Sequence, residues 1–153
     1  MAALKKGYLS LQGYRLPSEA EIEYTCRAGA VTSRYYGETD ELLVEYGRYQ
    51  RNSKEHTWPV GGMKPNDLGL SDMHGNVWNW CQDCYQDYPA PEGGMAVEDN
   101  EGALNIVATA GRLLRGGSAV DRPVDLRCAA RNSTMPGFRS GVVGFRPART
   151  IAP

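Results

Sequence analysis

Histidine is nearly missing from this chain: His56 and His74 are the only two in 153 residues, and neither stands at zinc-finger spacing from a cysteine. Cysteine is scarce too, at positions 26, 81, 84 and 128, with Cys81 and Cys84 forming a single CxxC. Zinc wants four ligands, and a thioredoxin-like pair would open a helix within a βαβ unit, so neither reading is supported. No apolar run approaches the roughly 20 residues of a membrane span. The lysines near Met1 have no apolar run behind them, so no signal peptide is read and a soluble, cytoplasmic protein is the default expectation. Lysine is absent from residues 112–153. Without a lysine-rich stripe, nucleic acid is not an expected partner.

What the chain does have is glycine and proline, 18 and 9 respectively, which interrupt any helix or strand every few residues. With 41% apolar and 23% charged residues the composition fits one loop-rich globular domain. Charge is unevenly placed. Residues 1–111 hold 9 basic and 16 acidic side chains, a balance of −7, and residues 112–153 hold 8 Arg and 2 Asp, a balance of +6. An anion-binding surface is one reading of that asymmetry. The reading preferred here is that planar, multi-donor arginines, Arg115, Arg127, Arg131 and Arg146 among them, tie irregular loops to carboxylates of the other half.

One helix is legible. Ser18 as N-cap and Glu21 three residues on make a capping box after Pro17, Glu19, Glu21 and Glu23 suit the positive end of the helix dipole, and Gly29 closes the helix. Ile22 and Cys26, four apart, then share a face. A second, weaker helix is expected over Asp40 to Tyr46. Beyond it the pattern turns to short strands: Trp78 and Trp80 alternate with Val77, Asn79 and Cys81, and the indoles are read as packing groups rather than a ligand shelf. Pro89 to Gly111 reads as a long surface excursion.

The last third is a rigid frame with soft filling. The frame comprises Leu114-Arg115-Gly116-Gly117-Ser118, Arg127-Cys128-Ala129-Ala130-Arg131 and Gly144-Phe145-Arg146-Pro147-Ala148-Arg149. Together with Gly75-Asn76-Val77-Trp78-Asn79-Trp80-Cys81 and Tyr14-Arg15-Leu16-Pro17-Ser18-Glu19-Ala20-Glu21, in that order along the chain, it resembles the formylglycine-generating, sulfatase-modifying enzyme family over roughly residues 13 to 149. The resemblance implies an α+β, C-type lectin-like fold of the variant that family uses, with short antiparallel strands, many loops and one or two helices. It also implies a single domain over 1–153 that lacks the family's N-terminal portion and so belongs to a longer chain. Cys26 and Cys128 match positions that are disulfide-bonded in some members and would otherwise be adjacent buried thiols.

In that family two catalytic cysteines lie between the Gly-Gly-Ser and Arg-Cys-Ala-Ala-Arg blocks and bind copper. This chain has no thiol between Ser118 and Arg127, and Asp121 and Pro123 fall at the two positions. Neither is a soft ligand of the kind Cu(I) prefers, so no copper and no such oxidase activity are expected, and no catalytic residue is assigned. Two scattered histidines cannot supply the histidine-rich iron site of the related sulfoxide synthases, and His74 reads as a turn residue. The resemblance further implies a calcium site from the side chains of Asp72 and Asn79 and the carbonyls of Gly75 and Val77, all hard oxygen donors. The family usually has glutamate where Asn79 stands, so the alternative is a loop closed by asparagine hydrogen bonds alone.

The filling consists of Ala119, Val120, Asp121 and Arg122; Val124 and Asp125; Asn132, Ser133, Thr134 and Met135; Gly137 and Phe138; and Ser140, Gly141 and Val142. These slots mix apolar, charged and small residues with neither strand nor helix period, as a paratope on a fixed scaffold does. The arrangement is similar to the variable proteins of diversity-generating retroelements, which use this fold and diversify such C-terminal slots. The resemblance implies a non-catalytic recognition domain whose variable region is 112–149 and whose partner is a protein or cell-surface ligand. Phe138, Met135 and Arg122 are the expected hot spot. The alternative is a formylglycine-type oxidase, or a degenerate relative fused to a signalling module.

Overall fold

A computed structural model describes residues 13–88 and 110–150. Most of the expected excursion, residues 89–109, lies outside the described residues. The elements run β1 (Gly13–Arg15), α1 (Glu19–Arg27), α2 (Leu43–Tyr46), β2 (Gly47–Arg48), β3 (His74–Gly75), β4 (Trp78–Cys84), β5 (Arg112–Arg115), a 3₁₀ turn (Pro123–Leu126), β6 (Arg131–Thr134), β7 (Val143–Gly144) and β8 (Ala148–Thr150). Short strands in wide loops make an α+β domain, as the density of glycine and proline requires.

Helix α1 begins as its sequence dictates. Ser18 accepts from the Glu21 N–H while the Glu21 carboxylate accepts from the Ser18 N–H, closing the capping box. It ends one residue earlier than expected, with Ala28 at φ 47° as the left-handed cap and Gly29 following at φ 90°. Ile22 and Cys26 are both buried, so they do share the inward face. The expected second helix shrinks to the single turn of α2.

A four-stranded sheet in the order β6-β5-β4-β7 is the platform. β4 pairs antiparallel with β5 and β5 with β6, whereas β7 runs parallel to β4 with Trp78 opposite Val143. β1 and β8 pair antiparallel, bringing the two ends of the described chain together. Burial among the described residues is divided among small clusters: Ile22, Cys81 and Leu113 join α1 to the sheet, Leu43, Tyr49 and Leu126 seat the 3₁₀ turn, and Cys26, Met73 and Cys128 lie between.

Arginines bind these small clusters together. Arg115 has a fully buried side chain that donates to the carbonyls of Ala129 and Ala130 and to Glu23, with Glu19 at 3.6 Å. Arg131 donates to both Glu19 oxygens at 2.6 and 2.9 Å and lies over the Tyr85 and Tyr88 rings. Arg146 donates to the carbonyls of Ser71 and Asp72. Two of the four depart from the expected carboxylate pairing: Arg146 reaches backbone carbonyls, and Arg127 is exposed with its side chain on the nearby Val124 carbonyl.

Candidate functional site

Beyond β5 the chain turns on Gly116 and Gly117, at φ 98° and 73°. A Cβ on Gly117 would stand 2.9 Å from the Asp125 carbonyl and from Leu126, so the turn is pressed against the segment that follows. Ser118 and Ala119 are then pinned: Ser118 is fully buried and donates to the Asp121 carboxylate at 2.5 Å, while the Ala119 N–H reaches the Asn76 carbonyl and its carbonyl accepts from Ser53. Only past this anchor does the chain face outward. Val120 and Val124 are 42% and 44% exposed, and the Arg122 guanidinium, 3.8 Å from Asp125, is mostly in solvent. The Pro123 carbonyl accepts from the buried Arg34, and Leu126 turns back into the core.

The second outward stretch starts on β6. Asn132 and Ser133 are exposed on that edge strand, Thr134 is half-buried, and Met135 and Phe138 are 48% and 51% exposed beyond it. Phe138 donates to the Met135 carbonyl to close a turn, and Ser140 caps the approach to β7 by accepting from the Val142 and Val143 amides. β6 and β7 are opposite edges of the sheet, so residues 135–142 cross from one edge to the other. Gly137 and Gly141 meet nothing within 4 Å of a built Cβ.

Thus most slots lie at the surface in two stretches, one around the 3₁₀ turn and one across the sheet. Ala119 and Asp121 are the slots most firmly held by the scaffold. Ala119 is wholly buried, and the Asp121 carboxylate is taken up by Ser118, because the chain must be fastened immediately after the glycine turn.

Asp72, Gly75, Val77 and Asn79 come together, lining one cavity of about 450 Å³ with Phe145 and Arg146 at its wall. Asp72, at φ 57°, accepts the Gly61 N–H at 2.6 Å, and the Asn79 amide donates to the Val77 carbonyl at 3.1 Å. The Arg146 guanidinium bonds the Asp72 carbonyl at 3.2 Å, placing a fixed positive charge beside this oxygen set. Burial lowers the pKa of Arg146 while the Asp72 charge opposes that shift.

His74 corrects the expectation of a turn residue. It lies in β3, fully buried, stacked on Tyr35 at 4.9 Å and edge-on to Tyr36. Its Nδ1 is 3.9 Å from Cys26 Sγ, its Nε2 has no hydrogen-bond partner among the described residues, and Cys26 Sγ is 2.7 Å from Cys128 Sγ. Donation from Cys26, and then the His74 imidazole, pull the Cys128 thiol well below its usual range against the effect of burial; that donation and burial push Cys26 up. No local spacing could have revealed this group, since its members come from α1, β3 and the loop before β6. The Cys26 and Cys128 pairing was implied by the family resemblance alone.

A loop-rich sheet with a glycine turn, a pinned Ser118 and outward loops between fixed blocks defines a C-type lectin-like domain of the formylglycine-generating type. The chain belongs to the sulfatase-modifying factor enzyme 1-like domain family, which it matches over residues 2–151. It is 37% identical over 146 residues to the serine/threonine-protein kinase pkn1 of Chlamydia pneumoniae, covering 95% of this chain and 22% of that one. It is 36% identical over 157 residues to the formylglycine-generating enzyme of Streptomyces coelicolor, covering 92% and 48%. Among solved structures, Treponema denticola variable protein 1 superposes with a TM-score of 0.80 at 34% identity, covering 90% of this chain and 48% of that one. The chain spans less than half the length of each of these relatives.

Proposed function

We propose that this domain is a non-catalytic recognition module, the variable protein of a diversity-generating retroelement, which holds a diversified C-terminal surface toward a protein or cell-surface ligand as part of a longer chain. The observation that carries the reading is a contrast between glycines. Two glycines of the family blocks leave no room for a side chain: at Gly75 a Cβ would stand 1.9 Å from the Arg48 carbonyl, and at Gly117 2.9 Å from the Asp125 carbonyl. Where the slots have glycine, at 137 and 141, the space is open. A scaffold selected to accept many side chains needs both properties at once. Exposed Val120, Val124, Met135 and Phe138 beside Arg122 then supply apolar and guanidinium contacts of the kind that dominate binding patches.

The oxidase reading has less to work with. Asp121 and Pro123 stand where that chemistry needs thiols; the Asp121 carboxylate is engaged by Ser118, and the Pro123 ring opens the 3₁₀ turn. Copper-supplied protein turning over oxygen with a cysteine peptide would establish it instead.

The test needs no known ligand. Val120, Arg122, Val124, Asn132, Ser133, Met135 and Phe138 are randomised together on a display library, and folded members are counted by protease resistance. The expected result is that most members fold, whereas a matched library at Leu113, Leu114 and Leu126 leaves few. If the slot library collapses like the core library, those residues are framework and the proposal fails.

A further inference from the structure

We propose that Cys26, His74 and Cys128 form a buried binding site for one soft monovalent d¹⁰ cation, Cu(I) or its analogue Ag(I). The donor atoms of these three residues lie within 4.8 Å of one another, and all three residues are buried. A metal–sulfur bond of about 2.3 Å and a metal–nitrogen bond of about 2.0 Å allow one ion to bridge atoms at such separations. The sulfurs, now 2.7 Å apart, must open by roughly 1 Å to admit it.

The occupant follows from the donors. Zinc takes four nitrogen, oxygen or thiolate ligands, and this group offers three. The donors are two sulfurs and one imidazole nitrogen in a buried cluster that Met73 also joins, and soft sulfur ligands suit Cu(I). Two sulfurs and an imidazole are poorly suited to hard cations, which take oxygen ligands. His74 is the independent indication. Its fully buried imidazole turns Nδ1 toward Cys26 Sγ at 3.9 Å, longer than a strong hydrogen bond, and a metal bond would give that nitrogen a closer partner. Binding displaces the proton that Cys26 donates to Cys128 and leaves the metal's oxidation state unchanged. The site is separate from the positions of Asp121 and Pro123 and stands whether or not the recognition proposal does.

The experiment is anaerobic titration of the reduced protein with Cu(I) against a chromogenic Cu(I) chelator, followed by ultraviolet thiolate-to-metal absorption, with Ag(I) in parallel. One equivalent is expected to bind. Cys26→Ser and Cys128→Ser each abolish binding, His74→Asn weakens it roughly tenfold or more, and Cys84→Ser leaves it unchanged. Alkylation mapped on the unmodified sequence keeps the test valid if a variant does not fold: bound metal must protect Cys26 and Cys128 and leave Cys84 reactive. Binding that survives Cys128→Ser, protection of Cys84 instead, or equal one-to-one binding of Zn(II) would overturn the proposal.

Discussion

Arg115 on β5 is paired with Glu23 on α1 across the interior, the guanidinium fully buried and the carboxylate about one quarter exposed. Two backbone carbonyls, of Ala129 and Ala130, take further donors of the same guanidinium. One side chain therefore fastens the helix, the sheet and the entry to β6. Removing one partner of a buried pair leaves the rest unsatisfied, at a cost of about 3–5 kcal/mol. Arg115→Ala is expected to lose that much by urea unfolding. A loss below about 1 kcal/mol would mean that the loops hold without it.

Glu21 gives the acid limb of stability a definite sign. Arg15 donates to both its oxygens, at 2.6 and 2.7 Å, and the Ser18 N–H adds a third bond, so the Arg15 hydrogen bonds foremost hold its pKa below the usual glutamate value. A depressed folded-state pKa contributes stability that is complete above the unfolded value, about 4.3, and is lost as pH falls through the folded one. The urea midpoint should therefore drop below about pH 4.3. Glu21→Gln should be less stable at neutral pH and show a shallower drop. An identical pH profile in the variant would remove Glu21 from the account.

The glycine contrast can be read from two single substitutions. At Gly75, φ is 81° and a Cβ would lie 1.9 Å from the Arg48 carbonyl, which backbone pairing between β2 and β3 fixes in place. Gly75→Ala should cost about 4 kcal/mol or more, or prevent folding. At Gly141 no neighbour is met, and Gly141→Ala should fall within about 0.5 kcal/mol of the parent. Comparable destabilisation at both sites would remove the distinction between frame and slot.

The physics of short range was legible in the sequence. The capping box on Ser18 and Glu21 and the inward pair Ile22 and Cys26 follow from residue chemistry and spacing, whereas for Arg115 and Arg131 only the need for carboxylate partners was legible and not which ones. The outward slots were legible as breaks in periodicity, but the inward turn of Ala119 was not, because it depends on Ser53 and Asn76 from a distant loop. His74 was misread for the same reason. A residue between Met73 and Gly75 looks like a turn, and only the parallel pairing of β3 with β2, with Tyr35 stacked on the ring, buries it.

The oxygen set of Asp72, Gly75, Val77 and Asn79 leads to a prediction about calcium. These donors share one cavity and are all hard, as calcium requires, yet they bring a single carboxylate, and the Arg146 guanidinium stands close by. We propose a weak calcium site, with dissociation constants of about 10⁻⁴–10⁻³ M. Excess calcium should then raise the melting temperature relative to a chelator, approaching about 2.7 kcal/mol of stabilisation at a hundredfold excess over the dissociation constant. Asp72→Asn should eliminate the shift. Asn79→Glu, by adding a second carboxylate, should strengthen it and move half-saturation to lower calcium. Should Asn79→Glu leave half-saturation where it was, the ion is elsewhere, and the bond from Asn79 to the Val77 carbonyl is simply how this loop is closed.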